Sequence, residues 1–398
     1  MTARSGFRLP LWRGIFYLLM AIGLPVILLR YTRGLGAVTN LTDDFPWGVW
    51  IGFDLLCGVG LAAGGFTLTA VVYIFNLKRF KPIVRPTVLT AFLGYLLVIG
   101  ALLVDLGRPW NIWHPIIMWN PHSVMFEVGW CVMLYTTVLA LELSGMVFEK
   151  VGWQRAVRWQ QAATIPLVVA GVLLSTLHQS SLGALYLIVP EKLYPLWYSP
   201  ALPWIFWLSA IAAGLAMVIV ESRISSRAFG REIEMHLLSD IARVLLVALG
   251  VFAVLRLYDL FVRGALPLVL QPTYEAGMFA LEFLMGVVLP FALLLSEKTR
   301  TDIRRLYPTA LLAVMGFVVN RLNVSVTGLE KSSGANYVPA WSEIAVTLFM
   351  VALGFAAFSL AVRYLPVYPG AERREPAARR QVGAPPARPR PVPAGRAV

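Results

Sequence analysis

Ten stretches of this chain are each long and apolar enough to cross a lipid bilayer, and nothing else in the sequence constrains the fold as much. They fall at about 12–29, 47–75, 87–107, 123–147, 159–180, 202–221, 241–262, 275–296, 307–323 and 341–365. A hydrocarbon core roughly 30 Å thick takes about 20 residues of helix. Inside it every backbone N–H and C=O must be satisfied within the chain, so continuous apolar runs of this length are helices. The second run is long enough to tilt or to overrun the bilayer. Composition agrees, with 58% hydrophobic and 14% charged residues, against about 25% charged in soluble domains. The pattern predicts an all-α polytopic membrane protein of two consecutive four-helix bundles with flanking helices. It excludes an ordinary soluble enzyme and a disordered chain.

A net charge of +13 would suggest nucleic acid until its placement is followed. Basic residues alternate between loops. Arg4, Arg8 and Arg13 precede the first run. Lys78, Arg79, Lys81 and Arg85 follow the second, Lys150, Arg155 and Arg158 the fourth, and Arg223, Arg227 and Arg231 the sixth. Lys298, Arg300, Arg304 and Arg305 follow the eighth, and a run of arginines follows the tenth. The intervening loops hold only Arg30, Arg33, Arg108, Lys192, Arg263 and Lys331. Basic loops stay on the cytoplasmic side, so both termini are expected there, in a bacterial inner membrane. The charge is topology information, and no nucleic-acid partner is implied. The first run has the basic flank of a signal peptide but no small-residue cleavage site after Leu29, so it reads as an anchor. Residues 366–398, rich in Pro, Ala and Arg, are expected to form a disordered cytoplasmic tail whose arginines face lipid head groups.

Charged side chains within a bilayer are costly and need a reason. With the orientation above, Asp54 lies about two turns into the second run, Asp105 closes the third, Glu127 lies one turn into the fourth, and His178 sits near the outer end of the fifth. Four consecutive helices thus carry two kinds of proton-exchanging group at one depth. A second polar cluster follows in Arg256, Asp259, Glu282 and Arg321. An Arg256–Glu282 ion pair locking the seventh helix to the eighth is its plainest explanation. Tyr73, Asn76, Glu142, Glu221 and Thr67 or Thr69 are candidate links to the opposite side, although Glu142 and Glu221 also suit interfacial anchors.

A lipid-soluble quinone takes up two electrons and two protons on reduction. Its site needs an opening to lipid, a donor to the quinone oxygens and a proton relay. His178 suits the donor, because imidazole gives and retakes a proton near neutral pH. Glu127 and Asp54 suit the relay. A bis-histidine haem is not expected, since His114 and His122 lie in an outer loop, His236 lies on the inner side, and only His178 is embedded. Two cysteines, Cys57 and Cys131, cannot hold an iron–sulfur cluster. If electrons reach this protein, they must come from a partner on the outer face, where Pro46-Trp47-Gly48-Val49-Trp50, Pro109-Trp110-Asn111-Ile112-Trp113-His114 and Tyr194-Pro195-Leu196-Trp197-Tyr198 suggest an aromatic docking platform.

These residues carry a resemblance. The stretch Asp44-Phe45-Pro46-Trp47-Gly48-Val49-Trp50-Ile51-Gly52-Phe53-Asp54, with Ala63-Gly64-Gly65 behind it, is similar to the NrfD/PsrC superfamily, and most closely to its HybB-like branch. So are Val84-Arg85-Pro86, Asp105-Leu106-Gly107-Arg108, Ser123-Val124-Met125-Phe126-Glu127 and Leu177-His178-Gln179-Ser180-Ser181-Leu182-Gly183. Weaker matches follow at Val254-Leu255-Arg256, Glu282 and Trp341-Ser342-Glu343. The resemblance implies a ten-helix, haem-free subunit that binds menaquinone or ubiquinone near the periplasmic face. It also implies a periplasmic ferredoxin-like iron–sulfur subunit as electron donor, fed by a catalytic subunit of the nickel–iron hydrogenase type. Mechanisms proposed for the superfamily couple quinone chemistry to proton translocation. Asp54, Asp105, Arg108, Glu127 and His178 are the site residues it carries over. Two other readings remain: a proton-coupled secondary transporter, and the membrane subunit of another complex of the same superfamily, whether polysulfide, sulfur-linked, molybdoenzyme or multihaem cytochrome. A passive membrane anchor is a third.

Overall fold

A computed structural model describes residues 11–62, 64–73, 77–230, 232–334 and 336–368. Among them there is no strand, and ten helices have the length and composition of membrane spans. They are α1 Arg13–Arg33, α2 Trp50–Ala70, α3 Ile83–Asp105, α4 Val124–Val151, α5 Gln154–Ile188, α6 Leu202–Phe229, α7 Met235–Val262, α8 Tyr274–Leu295, α9 Ile303–Ser333 and α10 Trp341–Tyr364. The protein is an integral, multi-pass membrane protein.

Packing divides the helices as expected. Helices α2 to α5 form one bundle and α6 to α9 a second; α2 also contacts α6 and α9, which joins the two. The flanking helices α1 and α10 pair with each other and lean on α3. Small residues allow the closest approaches. Gly286 of α8 lies so near Gly316 of α9 that a methyl group on Gly316 would stand 2.0 Å from the Gly286 Cα.

Helices α5 and α9 exceed the expected lengths most. Helix α5 continues through Ser-Ser-Leu-Gly-Ala-Leu to Ile188, which makes it about 52 Å long at 1.5 Å per residue, more than the bilayer core. Helix α9 runs on through Asn320, Arg321 and Asn323 because their polar groups find partners inside the protein. Three spans contain a wide, π-helical turn: Trp50–Cys57 in α2, Leu284–Val288 in α8 and Asn323–Thr327 in α9. Such turns carry one more residue than an α-turn and concentrate at functional sites.

Contacts sort the loops into two faces. On one, Arg79 pairs with Asp240 at 2.9 Å and Arg85 with Glu149 at 2.7 Å, joining the α2–α3 connection, the start of α7 and the end of α4. On the other, Arg30 at the end of α1 donates to Val104 O of α3 at 2.5 Å, and Trp50 at the start of α2 donates to Glu343 O of α10 at 3.0 Å. Arg263, past α7, reaches Pro195 O at 2.9 Å on this same side. We refer to these as the basic and the aromatic face.

The chain after α10 does not leave the fold at once. Arg85 donates to Pro366 O at 3.1 Å, Val367 is buried, and Tyr368 packs against Phe229. The rest of the expected tail, like Asn76, lies outside the described residues.

Candidate functional site

The residues grouped by depth divide between two adjoining sets. The first lies where α1, α2, α3 and α10 meet at the aromatic face. Asp54 sits in the wide turn of α2, is buried, and accepts a hydrogen bond from Thr347 of α10 at 2.9 Å. Asp105 ends α3, within electrostatic reach of Asp54, Arg30 and Glu343. Arg30 is buried and caps the end of α3 through Val104 O and Leu106 O, so one of the few basic residues on this face is structural. Glu343 is fully buried and central. Its carboxylate accepts from Asn40 N at 2.8 Å and from the Tyr337 hydroxyl, while Tyr337 in turn accepts from Val49 N at 3.1 Å. Tyr337 lies in the α9–α10 connection, and burial together with the Glu343 carboxylate raises its pKa.

The second set lines the interior of the first bundle. Ser123 caps the start of α4 by accepting from Phe126 N, which leaves Glu127 in the first turn, where the helix dipole favours an acid. Glu127 accepts a 2.6 Å hydrogen bond from Ser181 of α5. His178, three residues before Ser181 on the same helix, is completely buried, with neither ring nitrogen bonded to a protein group. Its ring lies 5.7 Å from that of Tyr95 of α3, which packs edge-on to Tyr135 of α4 at 4.7 Å. The Tyr95 hydroxyl is likewise buried without a formed partner, and those of Tyr135 and Ser175 face each other between α4 and α5. Buried polar groups are normally paired, with protein or with ordered water, so this cluster is a place for water or a polar ligand. The two sets meet at α2, where Gln179 donates to Val59 O at 3.3 Å.

From Tyr135 the polar line continues toward the basic face. Glu142, on the same helix, borders a cavity of about 570 Å³ whose wall includes Thr69, Tyr73, Arg85, Glu149 and Gln160. The interior of α4 thus presents Glu127, Cys131, Tyr135 and Glu142 along one stripe. Helix α5 answers with Gly171, Ser175, His178 and Ser181. Gly171 leaves room there, for a methyl group on it would stand 3.8 Å from both Glu142 Oε1 and the Tyr135 ring.

Arg108 stands apart, exposed on the loop beyond α3. In the second bundle, Arg256, Asp259, Glu282 and Arg321 do come together, but the expected direct pair does not form. Arg256 turns to Asp259 at 4.0 Å, to Leu196 O at 2.7 Å and to the face of Phe279. Glu282 instead accepts from Trp197 at 3.0 Å, Asn320 at 3.1 Å and Asn323 at 2.6 Å. Arg321 binds Asn320 and Ser209 and stacks on Phe206. The reason is geometric: Asn320 bridges Glu282 and Arg321, donating to the acid and accepting from the guanidinium, while Trp197 and Asn323 occupy the other carboxylate oxygen.

The aromatic platform is also narrower than expected. Trp50 and Trp197 are buried, each spent on a hydrogen bond within the fold. Of the three expected stretches, that between α3 and α4 displays exposed rings, with Trp110 and Trp113, and Trp119 beyond them.

Comparison with known proteins agrees with these features. The family described as polysulphide reductase, NrfD, matches residues 37–330. A protein of Nitratidesulfovibrio vulgaris is 38% identical over 362 residues, which cover 88% of this chain and 92% of its own. The probable Ni/Fe-hydrogenase 2 b-type cytochrome subunit of Escherichia coli is 36% identical over 361 residues, covering 89% and 92%. The integral membrane subunit of menaquinone reductase from N. vulgaris is 28% identical over 391 residues, covering 90% and 92%. A bis-histidine haem, one arrangement a b-type name can denote, needs two facing histidines. Here His178 lies near the aromatic face beside tyrosines, while His236 lies in the first turn of α7 at the basic face, so the donor set does not fit such a haem. Among the described residues no three His, Cys, Asp or Glu side chains converge as a metal site. With a family match over most of its length and relatives aligned nearly end to end, the chain belongs to the NrfD family.

Proposed function

We propose that this chain is the quinone-reactive membrane subunit of a respiratory oxidoreductase complex, of the HybB-like hydrogenase type, in a bacterial inner membrane. In this reading the aromatic face looks to the periplasm and both termini to the cytoplasm. A ferredoxin-like iron–sulfur subunit, fed by a nickel–iron catalytic subunit, docks over the exposed tryptophans near Arg108. It passes electrons to menaquinone or ubiquinone held close to that face. Relatives named for a hydrogenase and for a menaquinone reductase support the assignment.

The observation that carries it is the buried polar line through the first bundle, from Glu127 and Ser181 past His178, Tyr95 and Tyr135 to Glu142 and its cavity. Packing has no use for a buried imidazole with both nitrogens open, whereas a carbonyl oxygen being reduced needs a donor. His178 supplies the hydrogen bond to the quinone. Asp54 and Asp105, in the adjoining set on α2 and α3, and Glu127 serve as proton carriers, and Glu142 admits protons from the basic face. The second-bundle network, with every carboxylate oxygen of Glu282 engaged, holds helices in register.

The test compares His178→Ala and Glu127→Gln in the assembled complex. Quinone-linked turnover should fall at least about a hundredfold, the size of a lost acid–base group, while turnover with a dye acting on the peripheral subunits stays unchanged. Normal quinone reduction in both variants refutes the site. The cavity at Glu142 also suits a proton-coupled transporter, and solute uptake by the purified chain without redox partners would select that reading instead.

A further inference from the structure

The second bundle encloses a cavity of its own. It measures about 40 Å³ and lies among α6, α7, α8 and α9. Small side chains make the space, with Ala213 of α6 and Ala313 of α9 in its wall. Toward the middle of the membrane it is closed by Gly286 and Gly316, where α8 and α9 come into backbone contact. The end nearer the aromatic face is polar, formed by Ser209, Arg256, Glu282 and Asn320.

Arg256 has incomplete hydrogen bonding at that end. It is 2% exposed, and Nη2 donates to Leu196 O at 2.7 Å. Nη1 has no hydrogen-bond partner among the described residues and stands 4.0 Å from the Asp259 carboxylate. Asp259 is itself engaged, pairing with Arg263 at 2.7 Å and accepting from Ser199 at 2.5 Å. Arg321, also fully buried, leaves its Nε without a partner among the described residues.

Charge points the same way. The guanidinium groups of Arg256, Arg263 and Arg321 interact here with the carboxylates of Asp259 and Glu282, which leaves one positive charge over. Arginine keeps its proton in proteins, and a buried charge without a partner is costly. Cys57 and Tyr186 also face Arg321, but a thiol and a phenol add no charge near neutral pH. The rings of Phe206, Phe279 and Phe317 flank the guanidinium groups, and a ring face offers a quadrupole and not a counter-charge.

We propose that this cavity is a binding site for a small monovalent anion of the halide class, held by Arg256 Nη1 in the field of Arg321. Water would satisfy the open N–H group but not the surplus charge. Glu282 shares the wall, and its oxygens are turned to the N–H groups of Trp197, Asn320 and Asn323. The volume admits a single such ion with about one water.

The test uses the full-length protein purified in gluconate. Equilibrium dialysis against radioactive chloride should show saturable binding of a single ion per chain. Arg256→Gln should weaken it at least about tenfold, the worth of a hydrogen bond to a charged group. Arg79→Gln, at the basic face, should leave it unchanged. Glu282→Gln takes a negative charge from the wall and should tighten chloride binding, a gain that a merely structural acid would not give. Chloride at about a hundred times its dissociation constant should raise the apparent melting temperature of the parent by about 5 °C over gluconate. Should Arg256→Gln not survive purification, bromide-grown crystals of the unaltered protein decide, because anomalous scattering should place the ion within hydrogen-bond distance of Arg256. Equal binding by the parent and Arg256→Gln, or weaker binding by Glu282→Gln, would overturn the proposal. So would a parent without saturable binding or without bromide at Arg256, either of which leaves the cavity to water alone.

Discussion

Replacing Glu282 by Leu removes the hub of the second bundle while nearly keeping its volume. Three N–H donors, from Trp197, Asn320 and Asn323, then point at a hydrocarbon side chain. Each buried donor left unsatisfied costs about 1–3 kcal/mol. Arg256 and Arg321, which do not bond Glu282 directly, also lose the negative charge within their electrostatic reach. The two contributions overlap, because the same carboxylate answers both, so about 5 kcal/mol is a fair total. At about 2 °C per kcal/mol, the low end of the usual sensitivity, the apparent melting temperature should drop by about 10 °C. Glu282→Gln keeps one acceptor oxygen and turns an amide toward an asparagine donor, so it should lose about half as much. Pairing it with Asn323→Asp returns a carboxylate to the network and should recover part of the loss, a non-additivity expected of neighbours. The assay heats detergent-solubilised protein and measures the fraction still monodisperse by size-exclusion chromatography. A Glu282→Leu variant melting within about 2 °C of the parent would refute the view that this network holds the bundle.

Gly316→Ala should destabilise by more than about 1 kcal/mol, against a gain of that size from helix propensity alone, because its methyl group meets the Gly286 backbone; the same melting assay reads it. Arg30→Ala uncaps the end of α3, and hydrogen exchange at the α3 terminus should speed up by about tenfold for a cap of ordinary strength. Thr347→Val removes the hydrogen bond to Asp54 while keeping the side-chain volume. It should lower quinone-linked turnover severalfold, in line with a net hydrogen bond of about 1 kcal/mol, without altering dye-linked turnover; equal effects on both activities would mark Thr347 as merely structural. Ser181→Ala, which frees Glu127 of its hydrogen bond, should act on the same activity in the same direction.

Much of this was legible before any coordinates. Membrane thickness dictates helix length, so ten spans follow from ten apolar runs, and the alternation of basic loops anticipates which loops gather on each face. Depth was legible as well, which is how Asp54, Asp105, Glu127 and His178 came to be considered together. Lateral position was not. Depth cannot tell that Asp54 turns toward α10 and His178 toward Tyr95, nor that Glu343, far along the chain, completes the set around Asp105. Tyr95, Tyr135 and Ser175 escape a search by charge, because uncharged hydroxyl side chains pass unmarked within a hydropathy run. The signal existed nonetheless: Glu127, Cys131, Tyr135 and Glu142 recur at spacings that put them on one side of a helix. The direct Arg256–Glu282 pair is absent for a related reason, since hydropathy does not tell that Trp197, Asn320 and Asn323 turn to the same carboxylate.

The wide turn at Trp50–Cys57 has a consequence for how the protein tolerates change. A residue more or less in a loop is absorbed locally. Within α2, the extra residue sets the rotational phase between the chain above it and the chain below, and each residue is worth about 100° around the helix axis. Gly52 and Ser325 touch where this turn meets its counterpart in α9, so both helices carry their surplus residue at the contact that joins the bundles. Deleting a single residue there would restore ordinary winding and swing Asp54 away from Thr347, while Val59, beyond the turn, kept its place beside Gln179. One helix serves two neighbours that demand different phases, and the surplus residue reconciles them.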